Sequence, residues 1–195
     1  MKLHYGFALA ALVFATGCGR QEKAEAVRLY KALSQKQADF ASANAKEKDL
    51  VENVRALCGA ITSYGSGRKA ELGQNAGVVT QLANSAVEIS AHLSQVRQAV
   101  YDLSLNQEYT QSLRGGLITE FTRRQRFLQD VRSMLEQSAN DFRDYQKLKD
   151  FKGETIPDSI GKLDAVLQSY KPPADTVGSV LTALKTKYNL TGSEQ

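Results

Sequence analysis

Val79–Leu103, VTQLANSAVEISAHLSQVRQAVYDL, decides the fold. Val79, Leu82, Ala86, Ile89, Leu93, Val96, Val100 and Leu103 follow one another at alternating steps of three and four. That repeat sets all of them along one edge of a single long helix. A strand would alternate every second residue, and no such alternation is present. An apolar edge this regular needs partner helices, so the neighbouring stretches are read as what packs against it.

The same alternation recurs on both sides. Ala26, Leu29, Leu33, Phe40, Ala43, Leu50, Val54, Leu57, Ile61 and Tyr64 form an earlier edge, interrupted by Lys36 and Glu47. Its outer face carries lysine, glutamate, glutamine and asparagine, with Glu22, Glu25 and Glu47 each near a lysine that offers local pairing. Leu117, Phe121, Leu128, Val131, Leu135, Phe142 and Tyr145 form a later edge, with Arg124 and Ser138 at two of its positions. Aromatic residues on that edge are read as core rather than as a cofactor box.

The turns are read from glycine and proline. Gly65-Ser66-Gly67 ends the first helix. Arg114-Gly115-Gly116 is the preferred stop for the second, supported by the four-residue ladder Tyr101, Leu105, Tyr109 and Leu113. The alternative is a turn at Ser104 to Glu108, which sends the next helix through two interior glycines at a cost of about 2 kcal/mol. Glu47 and Arg124 discriminate between them. With the earlier turn they fall at similar heights, and with the glycine turn they lie several helical turns apart.

After a linker at Lys152 to Pro157, two short amphipathic helices follow. Ile160, Leu163, Leu167 and Tyr170 point inward in the first, and Val177, Val180, Leu181, Leu184 and Tyr188 in the second. Pro173 suits a first helical position, where its missing N–H costs nothing. The expected fold is all-α: an elongated antiparallel bundle of three long helices (about 21–64, 68–113 and 117–151) with a short C-terminal helical hairpin (about 157–170 and 173–188) packed on it. Residues 18–190 are taken as one helical-bundle domain and 191–195 as a disordered tail. A chain of 195 residues with three prolines suits that plan.

The start of the chain gives an address. Met1-Lys2-Leu3-His4 is a short basic opening, Tyr5 to Phe14 is apolar, and Ala15-Thr16-Gly17 is a small-residue step before Cys18. This is the layout of a secretory signal peptide, residues 1–17, and its apolar run is too short to span a bilayer. Phe14-Ala15-Thr16-Gly17-Cys18 resembles the lipobox of bacterial lipoproteins. Ala15, where leucine is commoner, departs from the pattern. The resemblance implies cleavage between Gly17 and Cys18 and acylation of Cys18 on sulfur and amine. Gly19, rather than aspartate, after the cysteine implies forwarding to the outer membrane, with the folded part facing the periplasm. The helix begins almost directly after Cys18, so the body is expected close to the bilayer. Several acyl chains anchor stably where a single chain is marginal.

Use of Cys18 as the lipid attachment argues against a disulfide with Cys58, the other of two cysteines. Cys58 is read as a small buried hydrophobe, or as a thiol for a partner chain. His92, flanking the second edge, is read as a partly exposed helix residue, with a pH switch or metal ligand as the alternative. It has no Cys, His or carboxylate partner at three or four spacing, which makes a poor metal site. Arg123, Arg124, Arg126 and Arg132 cluster in sequence. They form either a solvated face or, through Arg123, Arg126 and Arg132, a contact with anionic head groups or cell-wall polymers. The net charge of +4 is too mild for a nucleic-acid signature.

No nucleophile–base–orienter set, phosphate loop or Glu/His metal pairing is legible, so neither a catalytic nor a cofactor role is expected. The expected function is a membrane-anchored envelope lipoprotein that works without catalysis, as an interaction or accessory protein. Its partners would be the lipid membrane, through acylated Cys18, and an envelope protein. The alternative is a binding module for a small or polymeric envelope ligand, in a pocket between the long helices and the C-terminal hairpin.

Overall fold

The computed structural model describes residues 5–63, 69–147 and 158–190, and side chains over 19–61, 74–144 and 159–190. Among the described residues the chain is helical, with five helices and no strand. They are α1 (Tyr5–Ser63), α2 (Lys69–Tyr101), α3 (Glu108–Lys147), α4 (Asp158–Gln168) and α5 (Thr176–Tyr188). The expected turn at Gly65–Gly67, the linker before Pro157 and the tail 191–195 lie outside the described residues.

Most positions of the expected apolar edges are buried, but Leu103, expected on the α2 edge, lies past the end of α2 and is half-buried. In α1, Ala26, Leu29, Leu33, Phe40, Ala43, Leu50, Val54, Leu57 and Ile61 are all in the core. In α2 the buried edge is Val79, Ala83, Ala86, Ile89, Leu93, Val96 and Val100; Ala83 takes the place expected of Leu82, which is half-buried. In α3, Leu117, Phe121, Leu128, Val131, Leu135 and Phe142 are buried, and so are Arg124 and Ser138.

The second turn is not at the glycines. α2 ends at Tyr101 and α3 begins at Glu108, so α3 runs through Gly115 and Gly116, and the expected end of the second helix at 113 and start of the third at 117 are corrected. The cause is a cap that comes from elsewhere in the chain. Glu25 of α1 accepts from the backbone N–H of Asn106 (2.9 Å) and of Gln107 (2.9 Å) and from the Thr110 hydroxyl (2.8 Å). A carboxylate at a helix N-terminus meets orphan amides and the positive end of the helix dipole. The turn is pinned from the other side too. Arg114 donates to the Leu103 carbonyl at 2.7 Å, and Gln111 to the Leu105 carbonyl at 2.9 Å. Hydrogen bonds to a charged group contribute about 1.5–3 kcal/mol each. Two of them outweigh the two interior glycines.

α5 also starts later than expected. Asp175, not the proline pair, is the N-cap, and its side chain accepts from Gly178 N–H at 2.9 Å. Thr176 is therefore the first helical residue, and Pro173 precedes the cap. A methyl group at Gly178 would meet the Asp175 carboxylate and push it from its present position.

The chain falls into two compact units, where the sequence suggests one body over residues 18–190. The first unit comprises Met1–Ala38, Val96–Glu120 and Asp175–Gln195. Its described core joins Ala26, Leu29 and Leu33 of α1, Val96 and Val100 of α2, Leu117 of α3, and Val177, Leu181 and Leu184 of α5. The second unit comprises Asp39–Gln95 and Phe121–Ala174. There α2 and α3 run antiparallel: Gln125 reaches Ser94 while Arg143 reaches Thr80. α3 and α4 are antiparallel as well, with Phe127 against Tyr170 and Asp141 against Ser159. α4 thus belongs to the second unit and α5 to the first, which differs from the expected C-terminal hairpin.

Candidate functional site

The chemically most unusual group lies inside the second unit. Arg124 and Glu47 are each 1% exposed, on the apolar edges of α3 and α1. Arg124 Nε and Nη2 both donate to Glu47 Oε2, at 2.9 and 2.7 Å. The guanidinium also stands 5.2 Å from the Phe40 ring centroid, and Phe40 meets Phe121 edge-on at 5.7 Å. This pairing is the one expected from the earlier turn, so turn and ion pair agree. A buried pair needs this quality of geometry, because each ion taken from water costs several kcal/mol.

Tyr170, just past α4, closes this region. Its ring packs on Phe127 at 5.1 Å, and Arg55 lies 5.8 Å over it while donating to the Leu167 carbonyl at 3.5 Å. Burial, with Glu47 adding to it, pushes the Tyr170 hydroxyl up to about 12. Arg124 Nη1 and the Tyr170 hydroxyl are buried and have no partner within the protein. The group is held in place by packing and charge, and its hydroxyl stays protonated at any physiological pH.

The first unit carries a second polar cluster, around Glu22 of α1. Glu22 accepts from Lys187 Nζ at 2.8 Å and from the Tyr188 hydroxyl at 2.5 Å. Lys187 Nζ also sits 3.5 Å over the Tyr109 ring, and Tyr109 packs on Tyr188. These bonds from Lys187 and Tyr188 hold the Glu22 carboxyl below its ordinary value. For Glu25, burial works to raise the carboxyl. The Gln107 and Asn106 amides, the Thr110 hydroxyl and the Arg28 charge together bring it below the ordinary value. Glu22 and Glu25, expected on an outer face beside local lysines, bind across the fold instead, whereas Glu47 is already a misfit on the apolar edge of α1. No local signal marks Glu22 and Glu25, since each has a lysine within helical reach in sequence.

The expected site residues fare differently. Cys18 falls within helical α1, and its side chain, like that of Gly17 and the expected cleavage point, lies outside the described residues. The arginines do not form one free patch. Arg123, Arg126 and Arg132 are all exposed, Arg132 pairing with Glu136 at 2.8 Å and Arg123 also engaged, whereas Arg124 is in the core. His92 is half-buried on its helix flank, and its Nδ1 has no partner. Cys58 is buried, and burial, then the Asp164 charge, raises its thiol to about 11. It is therefore a poor nucleophile. Among the described residues no group of three His, Cys, Asp or Glu could hold a metal ion, and no helix is long and apolar enough to cross a membrane.

Surface grooves among the described residues include the following. One of about 510 Å³ is lined by Ala86, Ser90, Ser94, Gln125, Leu128 and Arg132, between α2 and α3. Another, of about 490 Å³, lies beside Glu25 and Asn106, and one of about 180 Å³ between Lys46 and Glu88. Comparison with known proteins finds no match: no family model, no curated protein and no solved structure.

Proposed function

We propose that this chain is a membrane-anchored envelope lipoprotein that acts without catalysis, as an interaction or accessory protein. The observation that carries the reading is Phe14-Ala15-Thr16-Gly17-Cys18, beyond which α1 continues without a break to Ser63. An acylated Cys18 at the head of that helix tethers the fold with no flexible spacer, on the outer membrane and facing the periplasm. Three long helices, packed antiparallel and carrying the two short ones, then form the working surface. Long helices offer ridges and grooves to partner helices. The groove between α2 and α3, floored by alanines and serines with Leu128, is of the kind a partner side chain enters.

Two experiments test this. Treatment with globomycin, or replacement of Cys18, blocks maturation if Cys18 is acylated; unchanged processing and fractionation overturn the address. Crosslinking in the native envelope, followed by mass spectrometry, captures a protein partner on this reading. Recovery of a small or polymeric ligand with no protein partner favours the binding module instead.

A further inference from the structure

We infer that the end of the first unit formed by the α2–α3 turn is a phospholipid-contacting surface, with Tyr101 seated in the head-group layer. The inference rests on the proposed acylation of Cys18. Helical register supplies the distance. Glu25 lies two helical turns beyond Cys18 in α1, about 10 Å along the axis. Its carboxylate is bonded to the backbone of Asn106 and Gln107, so the turn is fixed at that height above the acylated residue. Glu22, one turn beyond Cys18, holds the last turn of α5 through Lys187 and Tyr188. Three parts of the chain distant in sequence therefore end within about 10 Å of the lipid attachment along α1.

Tyr101 is the feature this end leaves unexplained. It is 61% exposed, more than any other large apolar side chain among the described residues, and it stands at the last position of α2, just before the turn. A tyrosine with an apolar ring and a polar tip is favoured at the membrane–water boundary. The charges at this end are mixed. Arg20, Lys23 and Lys185 are exposed beside Asp102 and Glu108, and exposed Arg28 and Lys187 pair with Glu25 and Glu22. The contact inferred is that of the Tyr101 ring with zwitterionic lipid, and the salt arm of the test separates it from cationic attraction to an anionic surface.

The chain contains no tryptophan, which gives a clean reporter. The acylated full chain with Tyr101→Trp is reconstituted into phosphatidylcholine vesicles whose acyl chains are brominated near the head-group end. Gln37→Trp serves as control; it is exposed, in the same unit, and about 28 Å beyond Cys18 along α1. The expected result is a blue shift and loss of most of the emission at position 101, unaffected by high salt, with position 37 unchanged. A vesicle-bound chain whose tryptophan emission at position 101 matches that at position 37 overturns the inference and leaves the anchor standing. A Cys18→Ser chain that floats with the vesicles as well as the acylated one removes the anchor, and with it the register that places Tyr101 at the lipid.

Discussion

Glu47 and Arg124 show what a single pair of side chains decides. Removing one partner leaves the other buried and uncompensated, so Glu47→Leu or Arg124→Met alone costs about 3–5 kcal/mol. The double replacement restores an apolar interior and returns stability to near that of the unaltered chain, measured by urea unfolding of the purified protein. Additive losses in the double variant would show that the two do not act as a pair. Glu25 makes a pH prediction. Its carboxyl is held below the ordinary 4.5 in the folded chain, so the cap is fully present above that pH and is lost as pH falls through the lower, folded value. Glu25→Gln is therefore less stable by about 1–3 kcal/mol at neutral pH, and the gap narrows below pH 4.5. A gap that stays constant from neutral to acid contradicts the cap. The sequence shows Glu47 and Arg124 as misfits on apolar edges, and misfits that must find each other. It does not show Glu25 as a cap, because its acceptor contacts lie 81 and more residues away.

At the scale of the element, the repeats of three and four were enough to locate all three long apolar edges, since burial follows directly from helical period. Turn chemistry was less legible. Gly115-Gly116 carries the local signature of a stop, and α3 runs through it because a remote carboxylate caps the helix earlier. Asp175 likewise outranks Pro173 as the start of α5, since an N-cap satisfies an amide that a proline only omits. Gly115 and Gly116 sit in a helix interior, and a methyl group added at either meets nothing within 4 Å. Replacing both with alanine raises stability by about 2 kcal/mol, read as an increased unfolding midpoint. A loss of stability would mean that these glycines do form a turn.

Across the whole molecule, the all-helical class was legible from periodicity and from the scarcity of proline. The division into two compact units was not, because α1, α2 and α3 each pass through both and their repeats do not stop at the boundary. The assignment of α4 and α5 to different units follows from long-range bonds, such as Glu22 with Lys187, that no local window contains. The proposed function rests on the first residues of the chain more than on the folded body. The central claim is the acylated Cys18, and intact-mass analysis of the mature protein from its native envelope tests it most directly. The account predicts a chain beginning at Cys18 and carrying acyl groups on its sulfur and amine. A mature chain that begins elsewhere, or begins at Cys18 without acyl mass, contradicts it.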